Sequence, residues 1–318
     1  CLIEPTAKGE NQMKEALESS AVNTDRYPSR VSDVPMVTAR QDPVVYGTAE
    51  DGPLDQTTLN LYEDNGLLHF DSLFTPDDLQ SWTDELHRLR ASEAIKAAPE
   101  AIVEPHSQEL RSIFAVHRIS DVMRCLAAHP KIVGIAEQLL GSPVYVHQSR
   151  INYKGGFRGK EFYWHSDFET WHVEDGLPAM RTVSCSISLT PNTPYNGPLM
   201  LIPGSHHRFI ACVGQTPEDH YKASLKRQEL GVPDDESLTK LVQDFGIVAP
   251  TGGAGSVTFF ECNTMHGSSS NITPMPRSNI FIVYNSVHNK PVQPYCGLAP
   301  RPNFIGERQD FTPARELV

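Results

Sequence analysis

Two histidines and one aspartate have the spacing of a metal site with open coordination positions. His165 and Asp167 lie two residues apart in the run EFYWHSD, which has the composition of a strand. Side chains two residues apart on a strand point to the same face, so this pair can bind one cation together. We expect the third ligand to be His266, which follows the strand-like run GSVTFFEC. Two histidines and one carboxylate are the ligand set of the non-haem Fe(II) oxygenases.

Three alternatives use the same metal group. Cys262, four residues before His266, would close the tetrahedron of a structural zinc site. A zinc hydrolase would use the same three ligands with Glu169 as its general base. A jelly-roll protein that binds a metal without turnover is the alternative from another class, because a fold does not fix a function.

Arg277 separates these alternatives. It stands at the start of the strand-like run that follows His266. A 2-oxo acid that chelates iron leaves its distal carboxylate free, and a planar guanidinium binds a carboxylate through two parallel hydrogen bonds. Arg277 therefore predicts a 2-oxo acid as cosubstrate, whereas a hydrolase gives this arginine no task. A surface salt bridge is the plainer explanation for a lone arginine.

The elements that must position these residues change in character along the chain. Residues 1–40 are polar and predict a mobile arm. The region 70–141 predicts helices, one capped by Thr75 and Pro76 and another that ends at Gly141 after a break at His129-Pro130. Short β-rich runs separated by glycine, proline and asparagine follow, and they predict an all-β sandwich or barrel with a polar insertion at 214–250.

Two strand-like runs carry one polar and one apolar face. In VYVHQSRINYK the side chains of Gln148, Arg150 and Asn152 share a face, and in TVSCSISLT a row of serines that includes Ser186 opposes an apolar row. A polar row that points into a barrel would line a hydrophilic cavity. Simple exposure to solvent is the alternative.

Composition excludes several classes of protein. The chain has 27 basic and 39 acidic residues, a formal charge of −12, which disfavours binding to nucleic acid. Its six cysteines form no CxxC pair and no regular framework, which fits a reducing cytoplasm. We find no export signal and no apolar run near the roughly 18 residues that span a bilayer, so no membrane partner is expected.

With these residues placed, the sequence resembles the phytanoyl-CoA dioxygenase superfamily, and within it the enzymes that hydroxylate ectoine. The block WHSDFETWHVEDGLPAMRTVSCSISLTPNTPYNGPLMLIPGSH carries the resemblance, supported by FFECNTMHGS and NITPMPRSNIFIVYN, and the likeness extends from about residue 25 to about residue 306. It implies a mainly β fold with a helical buttress and a double-stranded β-helix (jelly-roll, cupin-like) core at 142–290, inside one dioxygenase domain at 41–318.

The resemblance also implies the chemistry. The cofactors would be Fe(II), 2-oxoglutarate as cosubstrate and O2, and the reaction would convert ectoine into 5-hydroxyectoine, a compatible solute that protects against osmotic and heat stress. The same chemistry on another small amino-acid-like substrate, such as proline or a natural-product intermediate, is the nearest alternative. A homodimer is favoured.

Position by position, the resemblance implies three groups of site residues. The iron ligands would be His165, Asp167 and His266. The cosubstrate contacts would be Arg277, Asn152 and Ser186. The substrate contacts would be Gln148, Thr170, Trp171, Arg301 and Phe114, which suits a small zwitterion that needs an aromatic face for its amidinium and an arginine for its carboxylate. If two adjacent residues touch the substrate, ETWHVEDG must be a loop, held by hydrogen bonds of His172, Glu174 and Asp175.

Overall fold

The computed structural model describes residues 25–104, 109–224 and 230–318. Within these residues the chain forms twelve strands in a seven-stranded antiparallel sheet, a three-stranded antiparallel sheet and a two-stranded ribbon. The strands are β1 (Met36–Ala39), β2 (Leu67–Phe70), β3 (Ala101–Val103), β4 (Leu110–Phe114), β5 (Val144–Lys154), β6 (Phe162–His165), β7 (Thr182–Ser188), β8 (Leu199–Leu201), β9 (Arg208–Ala211), β10 (Val257–Glu261), β11 (His266–Ser268) and β12 (Arg277–Ser286).

Helices concentrate before β5, as the sequence predicted. The α-helices of the described chain are α1 (Gln56–Asn65), α2 (Pro76–Ala91), α3 (Glu93–Lys96), α4 (Val116–Ile119), α5 (Asp121–Ala127), α6 (Pro130–Leu140), α7 (Asp167–Thr170), α8 (Tyr221–Ser224) and α9 (Asp235–Phe245). A π-helical turn, Trp171–Asp175, follows α7, and 3-10 turns cover Ser205–His207 and Ala314–Glu316.

The two long predicted helices begin and end where their sequence signals lie. Thr75 caps α2 by accepting a hydrogen bond from the Asp78 amide (3.2 Å), and the Asp78 carboxylate accepts one from the Thr75 amide (3.0 Å). Helix α6 begins at Pro130 and ends at Gly141, whose φ of 57° is the left-handed conformation that glycine adopts easily.

The large sheet has the strand order β2-β10-β7-β12-β5-β4-β3, and the small sheet has the order β6-β11-β8. The sheets face each other, since Leu199 and Leu201 of β8 pack with Phe260 of β10 and Phe281 of β12. This is a mainly β jelly-roll with helices along one side, so the predicted fold class is confirmed.

The main core lies between the helices and the outer face of the large sheet. Val183, Cys185 and Ile187 of β7 belong to it, together with apolar side chains of α2, α5 and α6. Every residue of β7 is buried, so its serines point inward rather than to solvent. The predicted alternation holds, and the serine row faces the barrel interior.

The predicted mobile arm at 1–40 falls partly outside the described residues, since 1–24 are not described. The rest packs against the body of the protein, which differs from the expectation. Tyr27 and Arg30 are buried, and β1 pairs in register with β9. Residues 27–30 therefore pack into the protein, whereas residues 31–37 are exposed and are held by the pairing of β1 with β9.

The predicted insertion at 214–250 contains α8 and α9. Leu241 of α9 packs on Ile202, Ile210 and Met265, so this helix covers the outside of the small sheet. Among the described helices, none combines the length and the hydropathy that crossing a lipid bilayer requires.

Candidate active site

The three predicted metal ligands come together at one end of the small sheet. His165 ends β6, His266 begins β11, and the two are partners in the register of these strands. Their ring centroids are 4.2 Å apart. Asp167 Oδ1 lies 3.6 Å from His165 Nε2, and Asp167 Oδ2 lies 3.8 Å from His266 Nε2. The three ligand atoms all lie within 4.8 Å of one another, which suits one cation.

Asp167 reaches this position by a different route from the one that strand alternation suggested. Strand β6 ends at His165, and Ser166 caps the short helix α7 by accepting from the Glu169 amide (3.5 Å). Asp167 is thus the first residue of a helix and not a strand neighbour of His165. The predicted loop ETWHVEDG is likewise helical, formed by the end of α7 and the π-turn.

Hydrogen bonds fix both imidazoles in the form that binds a metal. His165 Nδ1 lies 2.7 Å from the Tyr163 carbonyl oxygen, and His266 Nδ1 lies 3.0 Å from that of Thr264. A carbonyl only accepts, so each Nδ1 carries the proton and each Nε2 lone pair faces the site. Burial, together with the neighbouring His165, lowers the pKa of His266 to about 4, so it stays neutral.

Asp167 supplies the negative charge of the group. Burial raises its pKa, but the interactions with His266 and His165 and the more distant charge of Arg150 together hold the pKa of this carboxyl well below its usual range. Two neutral imidazoles and one carboxylate fit Fe(II), with positions left for a cosubstrate and O2.

The structure occupies the residues that the two zinc alternatives need besides the three shared ligands, Cys262 and Glu169, with other contacts. The Cys262 thiol donates to Glu261 Oε1 (2.9 Å), and burial raises the pKa of Cys262 well above its usual value, so it stays a thiol. Glu169 accepts hydrogen bonds from Ser29 Oγ (2.6 Å) and Arg30 Nε (2.9 Å), which ties the proposed hydrolytic base to the wall of the site.

A cavity of about 70 Å³, which we call the central cavity, adjoins His165 and Asp167. Six of the predicted contact residues line it: Phe114, Gln148, Asn152, Thr170, Trp171 and Arg301. Five that were not assigned also line it: Ser112, Arg150, Phe162, His220 and Ile305. Arg150 had a sequence signal, since it shares the polar face of β5, whereas His220 and Ile305 had none. Arg277 and Ser186 do not line this cavity.

Two of the predicted substrate contacts already hold protein partners. Arg301 donates from Nε to Asp175 Oδ1 (2.8 Å) and from Nη2 to Asp175 Oδ2, which leaves its Nη1 for a ligand. Gln148 Nε2 donates to the Ile305 carbonyl (2.6 Å), and its amide oxygen stays available. These bonds fix both side chains before a ligand arrives.

Arg277 begins β12 and is buried, yet its Nε and Nη1 have no hydrogen-bond partner among the described residues. Burial lowers its pKa to about 10. It pairs in register with Lys154, and it lines a second, larger cleft that also borders Asn152 and Phe162. A buried guanidinium without a partner is unfavourable, so this position is built to receive an anion.

Ser186 and Asn152 lie on the inner face of the large sheet. Ser186 Oγ accepts from Asn279 Nδ2 (3.2 Å), and Asn152 Oδ1 accepts from Ser112 Oγ (2.8 Å). Asn279 is the register partner of Asn152, so these polar groups form one patch beside the strand that carries Arg277.

A buried ionic network that the sequence analysis missed supports the segment between the ligands and the substrate side. Arg30 Nη2 donates to Glu169 Oε2 (2.6 Å) and its Nη1 to Glu174 Oε1 (2.5 Å). His220 Nδ1 lies 2.8 Å from the same Glu174 oxygen. Burial raises the pKa of Glu174, but the His220 hydrogen bond and the charges of Arg301 and Arg30 lower it to about 2.

Comparison with known proteins agrees with this geometry. The sequence profile of the family described as phytanoyl-CoA dioxygenase matches residues 62–279. The ectoine dioxygenase of Streptomyces coelicolor is 54% identical over 293 residues, which cover 92% of this chain and 97% of the relative. The ectoine dioxygenase of Stutzerimonas stutzeri is 51% identical over the same shares of both chains.

Solved structures give the same result. EctD from S. alaskensis, in crystals with bound Fe and in crystals with 2-oxoglutarate and 5-hydroxyectoine, superposes with a TM-score of 0.83 at 44% identity, over 92% of this chain and 98% of that one. The carbocyclase SnoK, at 22% identity and a TM-score of 0.56 over 76% of this chain and 86% of that one, shares the fold alone. The family that the motifs suggested is therefore confirmed, and the chain belongs to the phytanoyl-CoA dioxygenase family.

Proposed function

We propose that this protein is an Fe(II)- and 2-oxoglutarate-dependent dioxygenase that hydroxylates ectoine to 5-hydroxyectoine. One observation carries the proposal. The protein buries both a group of two histidines and one carboxylate and an arginine whose Nε and Nη1 lack partners among the described residues, and the cavity and the cleft that these residues line share Asn152 and Phe162. The first suits Fe(II) and the second suits the distal carboxylate of a 2-oxo acid. The identity of more than 50% to ectoine dioxygenases supports the choice of substrate.

In this proposal His165, Asp167 and His266 hold Fe(II), which together with 2-oxoglutarate supplies the activation of O2 that an unreactive C–H bond requires. Arg277 binds the distal carboxylate of 2-oxoglutarate, and Asn152 and Ser186 bind polar groups nearby. These side chains are fixed by their strands before the ligand binds, so little ordering entropy is lost.

The substrate side uses the central cavity. Trp171 offers an aromatic face to the delocalised amidinium of ectoine, and the free Nη1 of Arg301 binds its carboxylate. Gln148 and Thr170 provide further hydrogen bonds, and Phe114 walls the cavity. Because these groups are buried, the cavity excludes bulk water and holds the substrate in one orientation, which determines the carbon that is hydroxylated.

The test is a product assay with anaerobically purified protein that is reloaded with Fe(II). Addition of 2-oxoglutarate, O2 and ectoine should release succinate and 5-hydroxyectoine in equal amounts, measured by mass spectrometry. A panel that includes proline separates the alternative substrates. If a panel member other than ectoine gives the largest product-coupled succinate release, the dioxygenase class stands and the substrate assignment fails. If nothing releases succinate, the class fails as well.

Asp167→Ala is the matching variant for the metal site. It should bind no stoichiometric Fe(II) in metal analysis and should give no product, because the anionic ligand is gone. Asp71→Ala, which removes a carboxylate that is 98% exposed, is the control and should keep both properties. Normal iron content and turnover in Asp167→Ala would show that the ligands are assigned wrongly.

We further propose that the enzyme acts in the cytoplasm as a homodimer. Cys185, Cys212 and Cys262 are buried free thiols, which supports a reducing compartment. Light scattering on the purified protein measures the oligomeric state, and a monomer at micromolar concentration would exclude a stable dimer.

A further inference from the structure

Two further clefts adjoin the central cavity, and each shares two lining residues with it. The first, which we call the basic cleft, has a volume of about 600 Å³ and shares Asn152 and Phe162 with the central cavity. The second, which we call the acidic cleft, has a volume of about 260 Å³ and shares His220 and Arg301 with it. The site is thus bordered by two openings with different linings.

The basic cleft contrasts with the charge of the whole protein. Six cationic side chains line it: Arg90, Arg111, Lys154, Arg158, Lys160 and Arg277. Two carboxylates, Glu104 and Glu109, accompany them, so the lining has a formal charge of +4 (six minus two) on a chain of formal charge −12. A local positive field on an acidic protein concentrates small anions at that place and excludes them elsewhere.

Cationic side chains continue from the surface to the inner end of the basic cleft, where burial and the nearby Arg277 lower the pKa of Lys154 to about 7. Arg158 is exposed, and no salt bridge to it appears among the described residues. Lys160 is 54% exposed and lies 2.9 Å from Glu104. Farther in, the buried Lys154 donates to Ser268 Oγ (2.8 Å) and to the Ser269 carbonyl (2.6 Å). Arg277 follows, with its unpaired Nε and Nη1.

The acidic cleft has the opposite character. Glu174, Glu218 and Asp219 line it against one guanidinium, that of Arg301, so the lining has a formal charge of −2 (one minus three, with histidine counted as neutral). Arg30 and Lys222, which lie outside this lining, pair with Glu174 and Asp219, whereas Glu218 is exposed at the rim without a salt bridge among the described residues. This opening therefore lacks the cations that would attract a dicarboxylate and suits a zwitterion or a cation.

We propose that the two ligands reach the iron site by separate routes, with the dianionic 2-oxo acid entering through the basic cleft and the zwitterionic substrate through the acidic cleft. This inference rests on the proposed function for the identity of both ligands. Each opening then selects its ligand by charge, and Arg277 lies at the end of the route by which its anion arrives.

The experiment measures association of 2-oxoglutarate with the Fe(II)-loaded, anaerobic enzyme by stopped-flow, through the visible band that forms when a 2-oxo acid chelates Fe(II). Arg158→Glu should lower the association rate constant by about 3- to 10-fold at low ionic strength and leave the dissociation rate constant unchanged. The difference should shrink toward onefold above about 0.5 M salt, where the Debye length falls to a few ångströms.

Matched variants separate a local field from total charge. Arg158→Lys keeps the charge and should keep the wild-type rate. Lys290→Glu makes the same change of net charge beyond the far end of β12 from Arg277, at an exposed position, and should leave the rate within twofold. Glu218→Lys, in the acidic cleft, should also leave 2-oxoglutarate association within twofold.

Equal rates for Arg158→Glu and the wild type at low salt would overturn the inference, and so would equal slowing by Lys290→Glu. The proposed function is judged separately, by wild-type turnover of ectoine. If the wild type hydroxylates ectoine while Arg158→Glu associates normally, the function stands and the separate route fails. If the wild type binds 2-oxoglutarate with the expected variant pattern but does not hydroxylate ectoine, the route stands and the substrate assignment fails.

Discussion

Removal of the Arg30 side chain should destabilise the protein through the two carboxylates that it leaves behind. Both partners are buried, with side-chain exposures of 1% for Arg30, 1% for Glu169 and 5% for Glu174. The Arg30 backbone adopts φ of 58°, a left-handed conformation that costs roughly 1 kcal/mol for a residue other than glycine. The ion pairs must offset this strain, so arginine is favoured at position 30 by the contacts of its side chain and not by its backbone conformation.

The expected magnitude follows from burial and chain length. Breaking a buried ion pair by removing one partner costs about 3–5 kcal/mol, because an uncompensated charge stays in the interior. A chain of 318 residues has an unfolding entropy of about 0.7 kcal/mol/K at roughly 2.1 cal/mol/K per residue. Arg30→Met, which keeps the apolar stem, should therefore lower the melting temperature by about 4–7 °C at pH 7.

The pH dependence identifies the cause. At pH 7 both carboxylates of Arg30→Met are charged without their guanidinium partner, whereas protonation at acidic pH removes the unfavourable charge. The gap in melting temperature between variant and wild type should therefore narrow as the pH falls from 7 to 4. The triple variant Arg30→Met/Glu169→Gln/Glu174→Gln should recover part of the loss, because no charge is stranded. Lys222→Met, in an ion pair that is more than half exposed on both sides, should change the melting temperature by less than about 1 °C.

The same variant should affect one ligand more than the other. Arg30 Nη2 also lies 3.2 Å from Thr170 Oγ1, next to Trp171 on the substrate side, whereas Arg277 lies in the basic cleft. We expect the KM for ectoine to rise about tenfold, equivalent to about 1.4 kcal/mol, with the KM for 2-oxoglutarate changed by less than twofold. A gap in melting temperature that does not depend on pH, together with equal changes in both KM values, would refute the reasoning.

Three further predictions concern other positions. Arg277→Gln should weaken 2-oxoglutarate binding by about 100-fold, measured by anaerobic calorimetry. The same change should raise the melting temperature of the cosubstrate-free protein, because a buried unpaired charge is lost. A loss of affinity below threefold would contradict the assignment of Arg277. Gly66→Ala should lower the melting temperature more than Gly297→Ala does. Both glycines have positive φ, but a new Cβ at Gly66 would lie 2.4 Å from His206 Nδ1, whereas one at Gly297 would meet nothing within 4 Å. Equal losses would mean that backbone strain alone decides the effect. The pKa of Glu174 is about 2 in the folded protein, despite burial, and about 4.5 in the unfolded chain. Glu174 therefore stabilises the fold fully above pH 4.5 and loses this contribution as the pH falls toward 2. In Glu174→Gln, the free energy of unfolding measured with urea should fall less steeply across this window than it does in the wild type.

Local patterns predicted most of the fold and the candidate metal ligands that the structure brings together, because those features depend on residue type and on neighbours in sequence. The caps of α2 and α6 are set by residues within one turn, and the inward serines of β7 follow from a period of two. His165 and His266 were found by their types, although the register that pairs them joins distant strands. The same periodicity failed at Asp167, because the Ser166 cap starts a helix where the strand pattern continues.

The support behind the site could not be predicted because it depends on contacts across the whole chain. The bonds from Arg30 to Glu169 span 139 residues, and no local pattern marks either partner. The sequence also does not show which arginines of the site are paired with carboxylates and which are left unpaired. The sequence assigned Arg277 to the cosubstrate, with a surface salt bridge as the alternative, and only the packed structure shows that it is buried with Nε and Nη1 unpaired among the described residues.

The arginines of the site divide by whether the protein itself satisfies them. Arg30 and Arg301 are buried in bidentate contact with carboxylates, so their charges hold the wall of the site and contribute little to the net field of the cavity. Arg277 is buried and Arg150 is half-buried, and Nε of Arg150 and Nε and Nη1 of Arg277 lack a hydrogen-bond partner in the described chain; desolvation lowers the pKa of both. An unsatisfied buried charge lowers the stability of the free protein. An anion that binds to it satisfies its hydrogen bonds, so the free energy that is recovered adds to the affinity for the ligand. The unpaired arginines should therefore dominate the affinity for the dianionic cosubstrate, and the paired arginines should govern the shape of the cavity, with only Nη1 of Arg301 left to contact the ectoine carboxylate.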